Sequence, residues 1–343
     1  MKRLFIKGEM KFIFTFIILL SFPISKSLGQ YLMTVTGKML SNKVHNVLAH
    51  EHVVTNFAGA ETVRTSKNID SALVKSLPYF KALKASGINV VFECTPAYIG
   101  RDVLLLKKLS ELSEINIVTN TGFYTAVDKK YLPAFVHTES EETIAQRWED
   151  EFKHGIEGTG IRPGFIKLGV GDGAIDSIES KLLRAAIRVS KTTGLTIVNH
   201  TGNYEAAQSE YDLAVKEGLS PDKMVWTHAQ NATDAERKLL AEKGMWISLD
   251  GVSDLNLDVY VASIIYMKEN KLLDRLLISH DDGLTVIKNG SYGKLELFKM
   301  GDSEPYLTIT KKLIPLLKDR RFTQSDIDQM MTVNPVRCFS LKN

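Results

Sequence analysis

The sequence predicts a (β/α)8 TIM barrel, and three observations carry this prediction. Eight apolar strand patterns alternate strictly with helical patterns, as in a parallel sheet whose crossover helices pack outside it. These units occupy about 290 of the 343 residues, which is the size of one closed barrel. No Gly-x-Gly-x-x-Gly follows an early strand, which argues against the dinucleotide-binding form of the competing fold, an open doubly wound sheet.

Residues 1–29 predict a secretory signal peptide. Four basic residues precede a nearly continuous apolar run over residues 12–24, which is short for a membrane span and contains Pro23. Ser27 and Gly29 then offer small side chains to a signal peptidase, so we expect cleavage before Gln30. The prediction is an exported protein, periplasmic or secreted, with a barrel domain over residues 30–343. The alternatives are a single membrane anchor and a start at Met10.

Composition argues against a nucleic-acid partner. Without residues 1–29 the chain carries 38 basic and 39 acidic residues, and no dense Lys/Arg surface is indicated. No membrane contact is expected once the signal is removed. Cys94 and Cys338 are the only cysteines in the sequence. Export would permit a disulfide between them, but their positions in a strand and in a helical pattern favour two separate buried thiols.

The elements follow from periodicity and from helix caps. Alternation around Gly37 predicts a short hairpin over residues 31–43, and Val47-Leu48-Ala49-His50 is the first barrel strand. Asp102 is a plausible N-cap. The other strands are predicted at residues 88–93, 115–121, 164–169, 195–199, 224–227, 245–249 and 276–279. Helices are predicted at residues 71–85, 102–112, 141–156, 177–191, 206–216, 233–243, 259–273, 307–317 and 323–333, with a long loop before the last two.

The C-terminal ends of these strands carry the candidate functional residues, because barrel enzymes place their catalytic groups there. His50 and His52 stand at i and i+2 of the first strand, so both imidazoles project from one strand end and can hold one metal ion. By spacing alone, two incidental histidines explain the pattern equally well. Later strand ends supply Glu93, Lys167, His200, His228 and His280-Asp281-Asp282.

Lys167 stands inside a strongly apolar strand, where a charged and unpaired lysine is costly. One solution is a neutral amine that reacts with carbon dioxide, giving a carbamate whose two oxygens can bridge two metals. The alternative is an ion pair with a carboxylate such as Glu93 or Asp281.

Taken together, these residues resemble the phosphotriesterase family of the amidohydrolase superfamily, which includes phosphotriesterase-like lactonases and esterases. The likeness covers about residues 33–340, and the motifs occur in family order. The motifs are Ala49-His50-Glu51-His52, Ile99-Gly100-Arg101-Asp102, Asn120-Thr121-Gly122-Phe123-Tyr124, Gly164-Phe165-Ile166-Lys167, Asn199-His200-Thr201, Thr227-His228 and Ile278-Ser279-His280-Asp281.

The resemblance implies a binuclear metal centre. By resemblance, His50, His52 and Asp281 bind a buried metal, and His200 and His228 bind an exposed one. Carboxylated Lys167 and a hydroxide would bridge the two metals, and Asp281 can accept the hydroxide's proton as it attacks. Zinc is the first expectation, and manganese, iron or cobalt would suit the same ligands. A homodimer is expected only from the resemblance.

Other residues carry weaker expectations. Tyr124 resembles a tyrosine on the leaving-group side of lactonases, with core packing as the alternative. Glu93 matches an acidic family position and is either close to the metal ligands or part of a core ion pair. Arg101 is expected to hold loop structure and His280 to be packed. Lactonase members carry an arginine after the Leu-Asp of strand seven, whereas Gly251 stands here.

The expected function is hydrolysis of a lactone or other carboxylic ester by a metal-bridging hydroxide. One alternative uses the same site on organophosphate triesters. The other is a non-catalytic binding protein on the same scaffold, although the intact ligand set argues against it.

Overall fold

The apolar segments form the strands of a (β/α)8 barrel, as the sequence predicts. The computed structural model describes residues 29–63, 69–287, 294–298 and 301–343. A hairpin of β1 (Tyr31–Thr34) and β2 (Gly37–Leu40) precedes the barrel. The barrel strands are β3 (Val47–Glu51), β5 (Val90–Glu93), β6 (Asn116–Val118) with β7 (Asn120–Thr121), β8 (Phe165–Val170), β9 (Ile197–Thr201), β10 (Met224–Thr227), β11 (Trp246–Leu249) and β12 (Leu276–Ile278). All pairings between these strands are parallel.

The third barrel strand is interrupted, whereas the sequence predicted one strand over residues 115–121. Thr119 separates β6, which pairs with β5, from β7, which pairs with β8. Between the first and the last barrel strands, two backbone hydrogen bonds join the C-terminal end of β3 to the residues that follow β12. The amide of His52 donates to the Asp282 carbonyl at 2.7 Å, and that of Asp281 donates to the His50 carbonyl at 3.1 Å. These bonds place the ends of β3 and β12 side by side.

The outer helices agree closely with the predicted ones. They are α2 (Ile69–Ala85), α3 (Val103–Ser113), α4 (Glu141–His154), α5 (Ser177–Thr193), α6 (Tyr204–Lys216), α7 (Asp234–Glu242) and α8 (Leu257–Glu269), with a short α1 (Ala60–Val63) before them. Asp102 caps α3 as predicted, because its side chain accepts hydrogen bonds from the amides of Leu104 and Leu105.

The structure corrects the prediction for the segment after β12. The loop predicted there contains β13 (Leu284–Val286) and β14 (Leu295–Leu297), which pair with each other, and β13 also pairs with β4 (Val54–Thr55). The final helical segments are α9 (Ile314–Asp319), α10 (Gln324–Asp328) and α11 (Asn334–Phe339). The last helix is predicted from the sequence over residues 323–333, but the helical chain extends further. After α10 and a π-helical turn over Gln329–Val333 it continues as α11, with Pro335 in its first turn.

The inner faces of the strands form a buried cluster inside the barrel, and Phe339 packs against it. Cys94 and Cys338 belong to this cluster and are both free, as predicted. Within the described residues, no helix is long and apolar enough to cross a membrane. Residues 1–28 of the predicted signal peptide lie outside the described residues.

Candidate metal centre and substrate cavity

The C-terminal ends of the barrel strands open into a cavity of about 440 Å³. All the residues predicted to bind metal line this cavity, namely His50, His52, Lys167, His200, His228 and Asp281. A larger cavity of about 740 Å³ lies beside α4, but none of these six side chains lines it. The chemistry therefore belongs to the smaller cavity.

His50 and His52 face the cavity together, as their spacing predicts. The pairing of β3 with β5 shifts register between Leu48 and Glu51, which turns His50 inward after Ala49. Their ring centroids are 5.5 Å apart. Oδ1 of Asp281 lies 3.0 Å from Nε2 of His52 and 3.5 Å from Nε2 of His50. Three ligand atoms this close together could hold one cation.

His200 and His228 form a second pair next to the first. Their ring centroids are 4.3 Å apart, and the His228 ring lies 5.1 Å from that of His50. His200 lies in β9, one residue before its end, whereas His228 follows β10 in a left-handed backbone conformation with φ of 60°. Asp281 has a similar φ of 57°. Such values are uncommon for residues other than glycine and cluster at functional sites.

Lys167 projects from β8 into the same cavity. Its side chain is 2% exposed, and its Nζ has no hydrogen-bond partner among the described residues. The ion pair considered from the sequence, with Glu93 or Asp281, is therefore not formed. Burial lowers the pKa of the Lys167 amine. A buried, unpaired and more readily neutral amine is the form that reacts with carbon dioxide.

Asp250 was not singled out from the sequence, yet it connects the two histidine pairs. Its Oδ2 lies 3.0 Å from Nδ1 of His50, and its Oδ1 lies 2.8 Å from Nδ1 of His228. Although these three residues are close enough to hold a cation, Asp250 is fully buried and does not line the cavity. We therefore interpret it as the carboxylate that orients the imidazoles of His50 and His228 and leaves each Nε2 for the cavity.

The electrostatics of the cavity favour neutral imidazoles at His50 and His200 beside an ionised Asp281. Burial would lower the pKa of His228, but the Asp250 carboxylate outweighs it and raises that pKa. Burial and the nearby Lys167 lower the pKa of His50 to about 4, and burial with the adjacent His228 holds the pKa of His200 well below its usual range. Burial would raise the pKa of Asp281, but the hydrogen bond from His52 and the charge of His50 outweigh it and lower the pKa. Neutral histidine and ionised aspartate are the metal-binding forms.

A second buried carboxyl group, that of Glu51, lies behind the first histidine pair. Its oxygens accept hydrogen bonds from Ser279 Oγ at 2.8 Å, from the amide and Nδ1 of His280 at 2.9 and 2.8 Å, and from the Asp282 amide at 2.9 Å. Four donors thus surround a carboxyl group that is 0% exposed. They fix the residues on both sides of Asp281 to the strand that carries His50 and His52.

The remaining sequence candidates fall into two groups. Tyr124 lines the cavity, with its ring centroid 5.0 Å from that of His200. It reaches this place because Gly122, with φ of 117°, passes close to β8, where a Cβ would lie 2.1 Å from the Lys167 carbonyl oxygen. Glu93 does not line the cavity; it accepts a hydrogen bond from the Val53 amide at 3.2 Å, and burial raises its pKa although nearby His52 partly opposes this.

Two further side chains are structural, as predicted. Arg101 is buried and pairs with Glu151 at 3.0 Å, while it also donates to the Asn120 carbonyl. His280 is buried between Glu51 and the Ile309 amide. His45, His137 and His154 are exposed.

The sequence contained signals for the residues that were missed. Asp250 follows the apolar run of β11, at the position where the other strands carry functional groups. Glu51 stands between the two histidines of the first strand. The cavity residues Phe57, Gln230, Tyr260 and Phe298 come from loops and from α8, where no periodicity marks them.

Comparisons with known proteins agree with this geometry. A sequence profile of the phosphotriesterase family matches residues 30–339. The aryldialkylphosphatase of Saccharolobus solfataricus is 26% identical over 309 residues, which cover 88% of this chain and 96% of the relative. The phospho-furanose lactonase of Mycoplasmopsis synoviae is 25% identical over 330 residues, which cover 90% of this chain and 91% of the relative. The solved structure of the organophosphorus hydrolase of Deinococcus radiodurans superposes with a TM-score of 0.79 at 26% identity. The superposition covers 92% of this chain and 98% of that structure.

Proposed function

Because this chain belongs to the phosphotriesterase family and is a hydrolase, we propose that it is a binuclear metal-dependent enzyme that hydrolyses a lactone or another carboxylic ester. The observation that carries the proposal is the Lys167 amine, which is buried without a partner among four histidines and an aspartate. A buried polar atom without a partner is costly unless another group completes it.

The donor set fits two divalent cations. His50, His52 and Asp281 would hold one, and His200 and His228 would hold the other. Lys167, once carboxylated, would offer one oxygen to each. Three histidines have their Nδ1 atoms occupied by protein partners, which leaves Nε2 of each to bind a cation. Nδ1 of His52 contacts Thr95 Oγ1 at 2.8 Å, and those of His50 and His228 contact Asp250. Zinc suits imidazole and carboxylate ligands, as do manganese, iron and cobalt.

When bound, the two cations would lower the pKa of a shared water to give a hydroxide and would polarise the substrate carbonyl. The chain supplies the remaining functions. Asp281 accepts the proton that is released as the nucleophile attacks, since its carboxylate is ionised and faces the cavity. Asp250 holds two imidazoles in fixed orientations. Tyr124 lines the side of the cavity next to His200, where it would contact the leaving group.

A second substrate class has its own support. One relative is named an aryldialkylphosphatase and one similar structure an organophosphorus hydrolase. The same nucleophile would attack a phosphorus centre, so we propose triester hydrolysis as a side activity. A non-catalytic binding protein on this scaffold would have no need for the complete ligand set, and we do not favour it.

The test is metal content together with turnover. The purified protein, supplied with zinc or manganese, should contain about two metal ions per chain by elemental analysis and should hydrolyse members of a lactone and ester panel. We expect kcat/KM for the best lactone to exceed that for paraoxon. A metal-replete protein that turns over no lactone or ester would refute the proposal, and a preference for paraoxon would support the triester alternative.

We also propose that residues 1–29 are a cleaved signal and that the barrel domain of residues 30–343 is exported, with a homodimer as its assembled form. The support for the signal is the basic and then apolar composition of the N-terminus. The homodimer rests only on the resemblance to the family. N-terminal sequencing of the protein from its own cell should begin at Gln30, and light scattering should give twice the chain mass. A protein that retains residues 1–29 would contradict the export proposal.

A further inference from the structure

The segment after β14 carries a tyrosine whose backbone conformation is unusual. Tyr306 has a φ of 65°, in the left-handed region, and is 1% exposed. A bulky aromatic residue rarely adopts this conformation, because its Cβ then crowds the backbone. Such strain persists only where the surrounding contacts hold the residue in place. The contacts of Tyr306 therefore indicate which groups the strained turn keeps together.

Tyr306 joins the end of the first barrel strand to the residues after the last one. Its hydroxyl donates a hydrogen bond to the His52 carbonyl at 2.8 Å, and its amide donates to Asp282 Oδ2 at 2.7 Å. His52 and Asp282 are themselves joined, since the His52 amide donates to the Asp282 carbonyl at 2.7 Å. Tyr306, His52 and Asp282 thus form a closed hydrogen-bond cycle.

This hydrogen-bond cycle lies directly behind two proposed metal ligands. Asp281 precedes Asp282 and has a left-handed φ of 57°, so a rotation of the Asp282 backbone would carry the Asp281 carboxylate with it. Asp281 Oδ1 lies 3.0 Å from His52 Nε2, and these atoms must stay close to share one cation. Tyr306 itself does not line the cavity. Its influence on a cation therefore passes through His52 and Asp281.

The aromatic ring of Tyr306 is fixed from the other side by α2. Its centroid lies 6.0 Å from that of Phe80, which is fully buried, and 5.7 Å from that of Tyr79. The same segment of chain also contacts the residue before Asp281, because the Ile309 amide donates to His280 Nε2 at 3.0 Å. Packing and hydrogen bonds together leave the Tyr306 hydroxyl little freedom to leave the His52 carbonyl.

We propose that Tyr306 is a positioning residue of the first metal site, and that its two hydrogen bonds hold His52 and Asp281 at the separation that one divalent cation needs. Because Tyr306 supplies neither a ligand nor a part of the cavity wall, its effect falls on metal affinity and turnover and not on substrate affinity. This inference rests on the proposed metal-dependent function and adds a residue to it that lies outside the ligand set.

The principal experiment compares zinc affinity. Tyr306→Phe removes the hydroxyl and keeps the aromatic ring against Phe80 and Tyr79. The zinc-loaded variant and the wild-type protein are titrated with a chelator, and the zinc that each retains is measured by elemental analysis. We expect the dissociation constant of the more tightly held ion to rise roughly 10–100-fold, the range seen when partners behind metal ligands are changed.

Two further readouts distinguish positioning from a general loss of stability. In the cobalt-loaded protein the visible absorption bands report the arrangement of the ligands, so they should shift in Tyr306→Phe. With an ester substrate, kcat should fall roughly 10-fold or more. KM should stay within about 2-fold of the wild-type value, because Tyr306 does not line the cavity.

Tyr79→Phe is the matched control, because it removes a hydroxyl from the ring beside Tyr306 and leaves the hydrogen bonds of Tyr306 in place. It should keep the zinc affinity, cobalt spectrum and turnover of the wild-type protein. Asp282→Ala opens the hydrogen-bond cycle at its other contact with Tyr306 and should also weaken zinc binding. It serves as the test if Tyr306→Phe does not fold.

The outcomes separate this inference from the proposed function. A wild-type protein that binds no zinc refutes both. A protein that binds zinc but hydrolyses no ester refutes the proposed function, while zinc affinity and the cobalt spectrum still decide the inference. If Tyr306→Phe or Asp282→Ala unfolds at a lower urea concentration but keeps the wild-type zinc affinity and cobalt spectrum, the hydrogen-bond cycle is only structural and the inference alone is overturned.

Discussion

Two buried glutamates stand behind the two halves of the cavity, and they are held very differently. Glu51, behind His50, His52 and Asp281, accepts four hydrogen bonds, two of them from backbone amides. Glu210, behind the strand that carries His200, accepts two, from Asn199 Nδ2 at 2.7 Å and Thr201 Oγ1 at 3.0 Å. Both carboxyl groups are 0% exposed.

The two carboxyl groups differ in the number of hydrogen-bond donors that surround them. Burial raises the pKa of Glu210 to about 8, since the hydrogen bond from Thr201 only partly offsets the lost hydration. The Glu51 carboxyl group accepts hydrogen bonds from Ser279, His280 and Asp282. These residues flank Asp281, so the hydrogen bonds connect the end of the last barrel strand to the first strand. We infer that the first half of the cavity is rigid and that the second half adapts more readily.

The largest effect is expected at Lys167, which stands between the halves. Lys167→Met should lower kcat/KM by more than roughly 100-fold, beyond the range seen when residues behind metal ligands are changed. The first half should keep its metal better than the second, so elemental analysis should give about one ion per chain. Loss of both ions would show that the halves depend on each other and would break the comparison.

Two further variants control for this change. Lys167→Glu places a carboxylate on the same strand and should retain more metal than Lys167→Met. Lys75→Met alters an exposed lysine on α2 and should leave metal content and turnover as in the wild-type protein.

A smaller effect is expected for Glu51→Gln. The amide replaces one acceptor oxygen with a donor that faces other donors, so the free energy of unfolding should fall by about 2–3 kcal/mol. Urea unfolding of the metal-free protein measures this change without any contribution from bound cations. Glu61→Gln, at an exposed position of α1, is the matched control. A loss no larger than that of the control would mean that the network does not stabilise the first half.

A third expected effect is a pH dependence that comes from Glu210. Its pKa is raised from an ordinary value of 4.5 to about 8, so the folded state holds a proton that the unfolded state releases. The contribution of Glu210 to stability is therefore complete below about pH 4.5 and is lost as the pH rises through about 8. Glu210→Gln should remove this loss, so that its advantage over the wild-type protein grows between about pH 5 and about pH 8 and then levels off.

Urea unfolding at several pH values measures the Glu210 effect. Glu205→Gln, at an exposed position on the same helix, should show the wild-type dependence. A Glu210→Gln variant whose stability follows the wild-type curve would show that the Glu210 carboxyl group is ionised in the folded protein and would refute this pH dependence.

The fold and the residues that meet in the cavity could be predicted because their signals are local and periodic. His50 and His52 stand two residues apart in a strand, and Lys167 interrupts an apolar run. Asp102 caps α3 through contacts two and three residues away. Each of these depends on neighbours in the sequence, which a single chain reveals.

The unpredicted features depend on contacts between distant residues. Asp250 binds His50 across 200 positions, and Glu51 binds His280 across 229. The β13–β14 hairpin pairs with β4, which follows the first barrel strand and is about 230 residues earlier in the chain. Nothing in the local pattern distinguishes a buried carboxyl group that accepts such bonds from an exposed one, so these partners emerge only from the fold.

The left-handed backbone at His228 and Asp281 has a consequence for engineering. That conformation costs most residues about 1–2 kcal/mol and is tolerated best by glycine, asparagine and aspartate. A saturation library at either position would therefore change the path of the chain together with the side chain. Asparagine is the exchange that tests the chemistry while sparing the bend, and bulkier replacements would report on a rebuilt loop.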